Sequence, residues 1–142
     1  MADLNNKAMI RSAVVAMNRR DVKGYLKNFS SSCVRWIAGF DQPMSLADVG
    51  EHLSQLIEAF DPLRLDEELL IADDRFVCAR WQLRGTQVGP FMGMPSHGNS
   101  IDVATCEIYE IADGVVVQSW VYQDPGQLFA QMAAGQAAGS SS

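Results

Sequence analysis

Carboxyl and phenol side chains that could transfer or hold a proton lie near the end of the chain, in two apolar segments at 100–111 and 115–123. Glu107 and Tyr109 are in the first segment, and Asp124 directly follows the second. Apolar surroundings favour the neutral form of a carboxyl group, so Glu107 could serve as an acid or as a hydrogen-bond donor toward a carbonyl. Which of these side chains faces a binding site depends on how the two segments pair.

An Ala-Asp-Gly sequence separates the two segments and predicts a β-hairpin. If it forms a three-residue loop with a G1 bulge at Gly114, Ile111 pairs with Val115 and Glu107 pairs with Ser119. Because side chains alternate between the two faces of a strand, one face of the hairpin then carries residues from both strands. That set is Glu107, Tyr109, Ser119, Val121 and Gln123. A two-residue turn that exchanged the faces would leave Glu107 in solvent.

Two tryptophans on other predicted strands could join Tyr109 around a ligand. Trp36 and Trp81 would then form flat apolar walls, which suit flat or polyene molecules. Leu83 lies two residues after Trp81 and therefore shares its face. Ordinary packing in the core explains each of these aromatic side chains equally well.

The segment 89–99, GPFMGMPSHGN, is rich in Gly and Pro and contains Met92 and Met94. We expect either a lid over a pocket or an oligomer contact. His97 could reach over a cavity mouth from this loop, although loop histidines are commonly just solvated. His52 is expected at the edge of a helix. No set of His, Cys, Asp and Glu has metal-ligand spacing in the sequence, so no metal is predicted.

The elements that position these residues follow the order of an α+β domain, with helices in the first half and strands in the second. Capping residues and apolar spacing predict three helices, starting near Asp3, Asp21 and Ser45. The second helix should end at the serines 30–32, and the third at Asp61. Strands are predicted at 33–38, 63–72, 75–88, 100–111 and 115–123, the last four as a meander.

The composition limits the possible partners. A chain of 142 residues with a formal net charge of -6 fits one domain and would repel a phosphate backbone, so no nucleic-acid partner is expected. No apolar run is long enough to cross a membrane and no signal-peptide pattern opens the chain, so a cytoplasmic protein with a neutral or apolar ligand is predicted. Cys33, Cys78 and Cys106 are expected to be buried thiols. The tail 133–142 is expected to be disordered.

A longer pattern identifies a resemblance. From Trp81 to Gly98 the chain reads W-x-x-x-G-T-x-x-G-x-F-x-G-x-P-x-x-G, and the hairpin EIYEIADGVVVQSW follows. Up to about Met132 the chain resembles the SnoaL-like polyketide cyclases of the nuclear-transport-factor-2-like superfamily. The resemblance implies one domain, 1–132, in which N-terminal helices pack on a curved antiparallel sheet and form a cone around an apolar cavity. It also implies that the face with Glu107 lines that cavity.

The same resemblance weakens one mechanism. In these cyclases an aspartate that follows a Trp in the last strand acts as acid and base, and a His lies on the neighbouring strand. The matching positions here are Val121 and Glu107, and Val121 cannot transfer a proton. Limonene epoxide hydrolase also has an aspartate at the position matched to Val121. Asp124 lies on the opposite face of the predicted hairpin and does not replace the missing acid.

The resemblance implies a cyclase that uses no cofactor and closes a ring in a polyketide-like or similarly apolar secondary metabolite, such as an antibiotic. It would act mainly by folding the substrate, including for a cycloaddition, while Glu107 or Tyr109 polarises a carbonyl. The alternatives are a non-catalytic binding module and an isomerase or epoxide-opening enzyme with Glu107 as acid and base. Trp120 and Tyr122, on the face opposite the cavity, predict a homodimer through the outer face of the sheet.

Overall fold

The structure, a computed structural model, describes residues 1–135 and confirms the α+β class. The rest of the tail predicted to be disordered, residues 136–142, lies outside the described residues. In chain order the elements are α1 Ala2–Asn18, α2 Val22–Leu26, β1 Phe29–Ile37, β2 Met44–Ser45, α3 Leu46–Ala59, β3 Phe60–Ala72, β4 Phe76–Gln87, β5 Ser100–Ala112, β6 Val115–Gln123 and α4 Pro125–Met132.

The strands form one six-stranded sheet in the order β2-β1-β6-β5-β4-β3. Strands β3 to β6 form the predicted antiparallel meander. One pairing departs from the predicted antiparallel sheet, since β1 pairs with β6 in parallel. The first strand thus pairs with the last, although most of the chain separates them in sequence. No local sequence pattern predicts such a long-range contact.

The helices cover one face of this sheet. In α1, Ile10, Val14 and Met17 recur at helical spacing and are buried in the core. In α3, Ser45 forms the predicted N-cap, and Asp48 completes a capping box with it. The predicted break at the serines 30–32 was wrong, since β1 already begins at Phe29.

The turn between β5 and β6 differs from the predicted three-residue loop. Ala112 pairs with Val115, so the loop contains two residues, Asp113 and Gly114. Their φ angles of 52° and 78° are the positive values that tight two-residue hairpins require. Gly adopts such angles without a steric penalty, and Asp tolerates them better than most residues.

A bulge next to this turn preserves the predicted faces. The register shifts between Ile111, which pairs with Val116, and Glu110, which pairs with Gln118. The predicted pairing of Glu107 with Ser119 was wrong, and Glu107 pairs with Val121 instead. Because the shorter loop and the extra residue together shift the pairing by an even number of residues, Glu107 still faces the helices.

Asp124 caps a helix that the sequence analysis did not predict. Its Oδ1 accepts a hydrogen bond of 2.9 Å from the Gly126 N–H at the start of α4, where Pro125 occupies the first turn. An Asp-Pro pair is a known signature of a helix start. Asp124 therefore has a structural role.

Removing this cap has a predictable cost. We expect Asp124→Ala to lower the free energy of unfolding by about 1 kcal/mol, within the range of known N-cap losses. Asp124→Asn should cost much less, because Asn caps helices about as well as Asp. Urea unfolding of the two variants measures the difference, and equal losses would show that the side-chain cap is not the cause.

No helix in residues 1–135 combines the length and the apolar character needed to cross a membrane. Cys33 is buried as expected, whereas Cys78 and Cys106 are half-buried on the outer face of the sheet.

Candidate active site

A cavity of about 370 Å³ lies between the helices and the sheet. Its walls are mainly apolar and include Met17, Leu53, Leu56, Leu63, Leu83 and Leu128. Phe40 and Met92 also line it and are 57% and 51% exposed, so they lie at its mouth. The volume is at the lower end of the roughly 300–1,000 Å³ typical of small-molecule sites. The cavity therefore suits a small apolar ligand.

A buried ion pair lies on the sheet side of this cavity. Arg35 Nη2 is 3.0 Å from Glu107 Oε2, and both side chains are less than one-tenth exposed. The Oε2 contact lacks hydrogen-bond alignment, since this oxygen has no hydrogen-bond partner among the described residues. Glu107 Oε1 accepts a hydrogen bond of 3.0 Å from the Tyr109 hydroxyl. The Arg35–Glu107 pair is thus held in the wall of an apolar cavity.

Two hydroxyl groups fix the other side of the pair. Arg35 Nη2 donates to Tyr25 Oη at 2.7 Å, and Arg35 Nε donates to Ser119 Oγ at 3.2 Å. Arg35 and Ser119 are direct neighbours in the β1–β6 pairing. The parallel pairing that joins the first strand to the last therefore also places the guanidinium beside Glu107.

The environment keeps the tyrosines of this cluster protonated. Burial raises the pKa of Tyr25 to about 12, although the Arg35 charge opposes the shift. Burial, followed by the Glu107 charge, raises the pKa of Tyr109 well above its ordinary value. For Arg35, burial lowers the pKa, but the Glu107 charge together with Tyr25 and Tyr109 outweighs burial, so the net shift is upward. Both tyrosines are therefore neutral, and Tyr25 accepts from Arg35 whereas Tyr109 donates to Glu107.

Arg35 changes the expectation that Glu107 is a neutral acid. A protonated Glu107 would leave the buried guanidinium without a counter-charge, and an unpaired buried charge costs several kcal/mol. The pair therefore favours a carboxylate that holds Arg35 in place. This carboxylate is poorly suited to donate a proton.

Several predicted site residues do line the cavity. They are Trp81, Leu83, Met92, Glu107, Val121 and Gln123. Tyr109 and Ser119 are fully buried on the same face of the sheet but lie behind the lining, where they hold Glu107 and Arg35. The hairpin pattern therefore predicted which side chains lie on the cavity side of the sheet, but not which of them line the cavity directly.

Three other predicted site residues lie outside the lining. Trp36 is on the outer face, where it is 38% exposed and its Nε1 donates to Gln118. His97 is exposed in its loop. Met94 packs against the core and its backbone bonds to Phe91. In β1 the inward position belongs to Arg35, so the choice of Trp36 was wrong by one residue.

The sequence analysis did not select Arg35, Tyr25 or His52. A signal existed for His52, since it lies three residues after Val49 and four before Leu56, on the apolar stripe of α3. Arg35 shares the face of buried Cys33 in the otherwise apolar segment 33–38, and a buried Arg needs a partner. The sequence pattern alone does not identify Glu107 as the partner of Arg35.

His52 extends the polar lining to the helix side of the cavity. Its ring centroid is 5.7 Å from that of Phe91. Burial and, to a smaller extent, the Arg35 charge lower the pKa of His52, so its imidazole is neutral at pH 7.

Residues 1–135 contain no group of three or more His, Cys, Asp or Glu side chains placed to hold a metal ion.

Comparison with solved structures agrees with this architecture. AclR from Streptomyces galilaeus, a proposed hydroxylase, is 28% identical, with a TM-score of 0.82 over 89% of this chain and 94% of its own. A proposed SnoaL-like polyketide cyclase from Jannaschia sp. CCS1 is 18% identical, with a TM-score of 0.83 over 93% and 94%. IdmH from Streptomyces antibioticus, a proposed polyketide cyclase, is 20% identical, with a TM-score of 0.75 over 89% and 97%.

A search of curated proteins found no match to the chain. The family model described as SnoaL-like polyketide cyclase matches residues 7–132, which include every residue that lines the cavity. This match agrees with the motif from Trp81 to Gly98 and with the fold. The chain belongs to the SnoaL-like polyketide cyclase family.

Proposed function

We propose that the protein closes a ring in a small, apolar, carbonyl-bearing molecule of the polyketide type, without a cofactor. The apolar cavity folds the substrate, and Arg35 polarises one of its carbonyl groups. The observation that carries this proposal is a buried guanidinium, fixed on three sides, in the wall of an apolar cavity.

Arg35 has one nitrogen left for a ligand. Its Nε and Nη2 bond to Ser119 and Tyr25, and Nη2 also contacts Glu107. Nη1 makes no hydrogen bond to any residue from 1 to 135, and Arg35 lines the cavity. A fixed donor in a cavity with few polar groups stabilises negative charge on a carbonyl oxygen more strongly than water does.

Glu107 and Tyr109 are positioning residues in this proposal. The Tyr109 hydroxyl donates to Glu107, so it is not free to polarise a carbonyl as the sequence suggested. Glu107 compensates the charge of Arg35 and orients the guanidinium. This arrangement weighs against an isomerase or epoxide-opening enzyme that uses Glu107 as its acid.

The apolar walls contribute through geometry. A flexible chain that is folded inside the cavity has already lost the internal freedom that ring closure would otherwise cost, and such pre-organisation can lower a barrier by several kcal/mol. Cycloaddition and carbonyl addition both keep every atom of the substrate. The product should therefore be an isomer of the substrate.

Val121 favours a second candidate, a non-catalytic binding module. It occupies the position of the cyclase aspartate, lines the cavity and pairs directly with Glu107. Its side chain cannot transfer a proton. A protein that only binds and carries its ligand would need no acid there.

Deletion of the gene in its native strain separates these candidates. For a cyclase, mass spectrometry of the deletion strain should reveal an accumulated, less cyclic isomer of a metabolite of the parent strain. Reintroduction of the intact gene should remove it. Unchanged metabolites in the deletion strain would contradict the proposed function.

We also propose a homodimer formed through the outer face of the sheet. Paired positions on neighbouring strands place an apolar row across this face: Trp36, Trp120, Ile108, Cys78 and Ile71. Trp36 is 38% exposed and Ile71 is 55% exposed, and Tyr122 beside them is 51% exposed. A second copy presents the same row, so a two-fold axis would bury both surfaces at once.

The dimer predicts a specific effect of charge on this face. Tyr122→Lys should shift sedimentation toward the monomer at protein concentrations of about tens of micromolar, because a desolvated ammonium opposes association. Ser54→Lys adds the same charge to an exposed position of α3 and should leave the dimer intact. An intact protein that sediments as a monomer would contradict the proposal.

A further inference from the structure

His52 lines the same cavity as Arg35. It is on α3, which packs against β1, and it belongs to the helical face that also brings Leu53 and Leu56 into the lining. Arg35 approaches from the sheet. A ligand that fills the cavity would therefore contact both the imidazole and the guanidinium.

The imidazole of His52 has no hydrogen-bond partner in the described part of the chain. His52 is half-buried, and neither of its nitrogens is among the fully buried polar atoms of residues 1–135 that lack a partner, so the imidazole is accessible from the cavity. The walls around His52 are the apolar Leu53, Leu56 and Phe91. Its nitrogens are thus available to a ligand.

The charges around His52 favour a neutral base. Among residues 1–135, the other titratable side chains that line the cavity are Tyr25 from α2, Arg35 from β1 and Glu107 from β5. The elements β2 and β3, which also pack on α3, contribute apolar lining residues. Arg35 disfavours a second positive charge nearby, while Glu107 is already paired with Arg35.

We propose that His52 is the general base of this cavity and that the substrate carries an acidic C–H next to the carbonyl held by Arg35. This inference rests on the proposed function and assigns the proton transfer that Val121 cannot perform. It selects ring closure by carbonyl addition over cycloaddition, since a cycloaddition needs no base.

The proton and the electrons balance within one substrate molecule. A His52 nitrogen takes the proton from the carbon, and the C–H electron pair forms an enolate whose oxygen accepts from Arg35 Nη1. The enolate carbon then bonds to a second carbonyl carbon of the same molecule. The oxygen of that carbonyl takes the proton back from the His52 imidazolium, so the product is an isomer and the enzyme returns to its starting state.

The bicyclic ketone 2-tetralone tests this step without the native substrate. Its benzylic protons next to the carbonyl exchange for deuterium in D₂O when a base removes them, and proton NMR follows the exchange. The intact protein should accelerate the exchange above the rate in buffer. The acceleration should increase with pH and reach half its maximum below the ordinary histidine pKa of 6.5.

His52→Gln should reduce the protein-dependent exchange by about 10²-fold or more, the contribution expected of a general base. Binding of 2-tetralone, measured by isothermal titration calorimetry, should persist. Glu51→Gln, an exposed neighbour on α3, is the matched control and should exchange like the intact protein. In His52→Ala, added imidazole should restore exchange, which a merely structural role of His52 would not explain.

Three results would overturn the inference: an intact protein no faster than buffer, a His52→Gln variant close to the intact protein, or a His52→Ala variant that imidazole does not rescue. The deletion strain separates this inference from the proposed function. If a His52→Gln gene still removes the accumulated isomer, His52 is not the base and the ring closure stands. If the intact gene does not remove it, the proposed function fails.

Discussion

Replacement of Glu107 by Gln is expected to lower the free energy of unfolding by about 3–5 kcal/mol. Gln preserves the volume and an oxygen that can accept from Tyr109, but it leaves the guanidinium of Arg35 buried without a counter-charge. Loss of one partner of a buried ion pair typically costs this much. Urea unfolding, monitored by tryptophan fluorescence, measures the change.

The double variant Arg35→Met with Glu107→Gln tests the cause. If the uncompensated cation causes the loss, removal of the cation should recover part of the stability, even though Tyr25 and Ser119 each lose a hydrogen-bond partner. A double variant less stable than Glu107→Gln alone would contradict this explanation. Ring closure should stay low in the double variant, because the polarising donor is absent.

Truncation of Trp81 should have the second large effect. Trp81 is 2% exposed and forms part of the cavity wall, so Trp81→Ala should lower the free energy of unfolding by about 3–5 kcal/mol. The enlarged cavity should also bind 2-tetralone more weakly and lose the folded arrangement of the substrate. Unfolding in urea and calorimetric titration with 2-tetralone measure the two effects.

Trp81→Phe is the matched control. Phe keeps an aromatic wall, and the lost indole N–H has no hydrogen-bond partner within residues 1–135. Phe should therefore preserve much of the stability and of the affinity. If Phe is as harmful as Ala, the indole N–H is important and the wall is not the main contribution of Trp81.

The sequence predicted the elements that depend on local patterns. The meander β3 to β6 and the Ser45 cap of α3 follow from alternation, helical spacing and capping chemistry, which involve residues close in sequence. The helix α4 was also predictable, because Asp124 and Pro125 are a capping pair.

Features that depend on distant contacts were not predictable in this way. The pairing of β1 with β6 joins Arg35 to Ser119, 84 positions apart, and only this pairing determines that Arg35 rather than Trp36 faces inward. The β5–β6 register shows a different limit. The two-residue turn and the bulge together shift the β5–β6 pairing by an even number of residues. The prediction therefore assigned Glu107 to the correct face of the sheet although the predicted loop was wrong.

The most direct test of the account is conversion by the purified protein of the compound that accumulates in the deletion strain. The protein is dialysed against a chelator, no cofactor is added, and NMR and high-resolution mass spectrometry identify the product. The expected result is a more cyclic product with the same elemental composition, formed by the intact protein and much more slowly by the double variant of Arg35 and Glu107. A compound that binds but remains unchanged, or that reacts only after a cofactor is added, would contradict it.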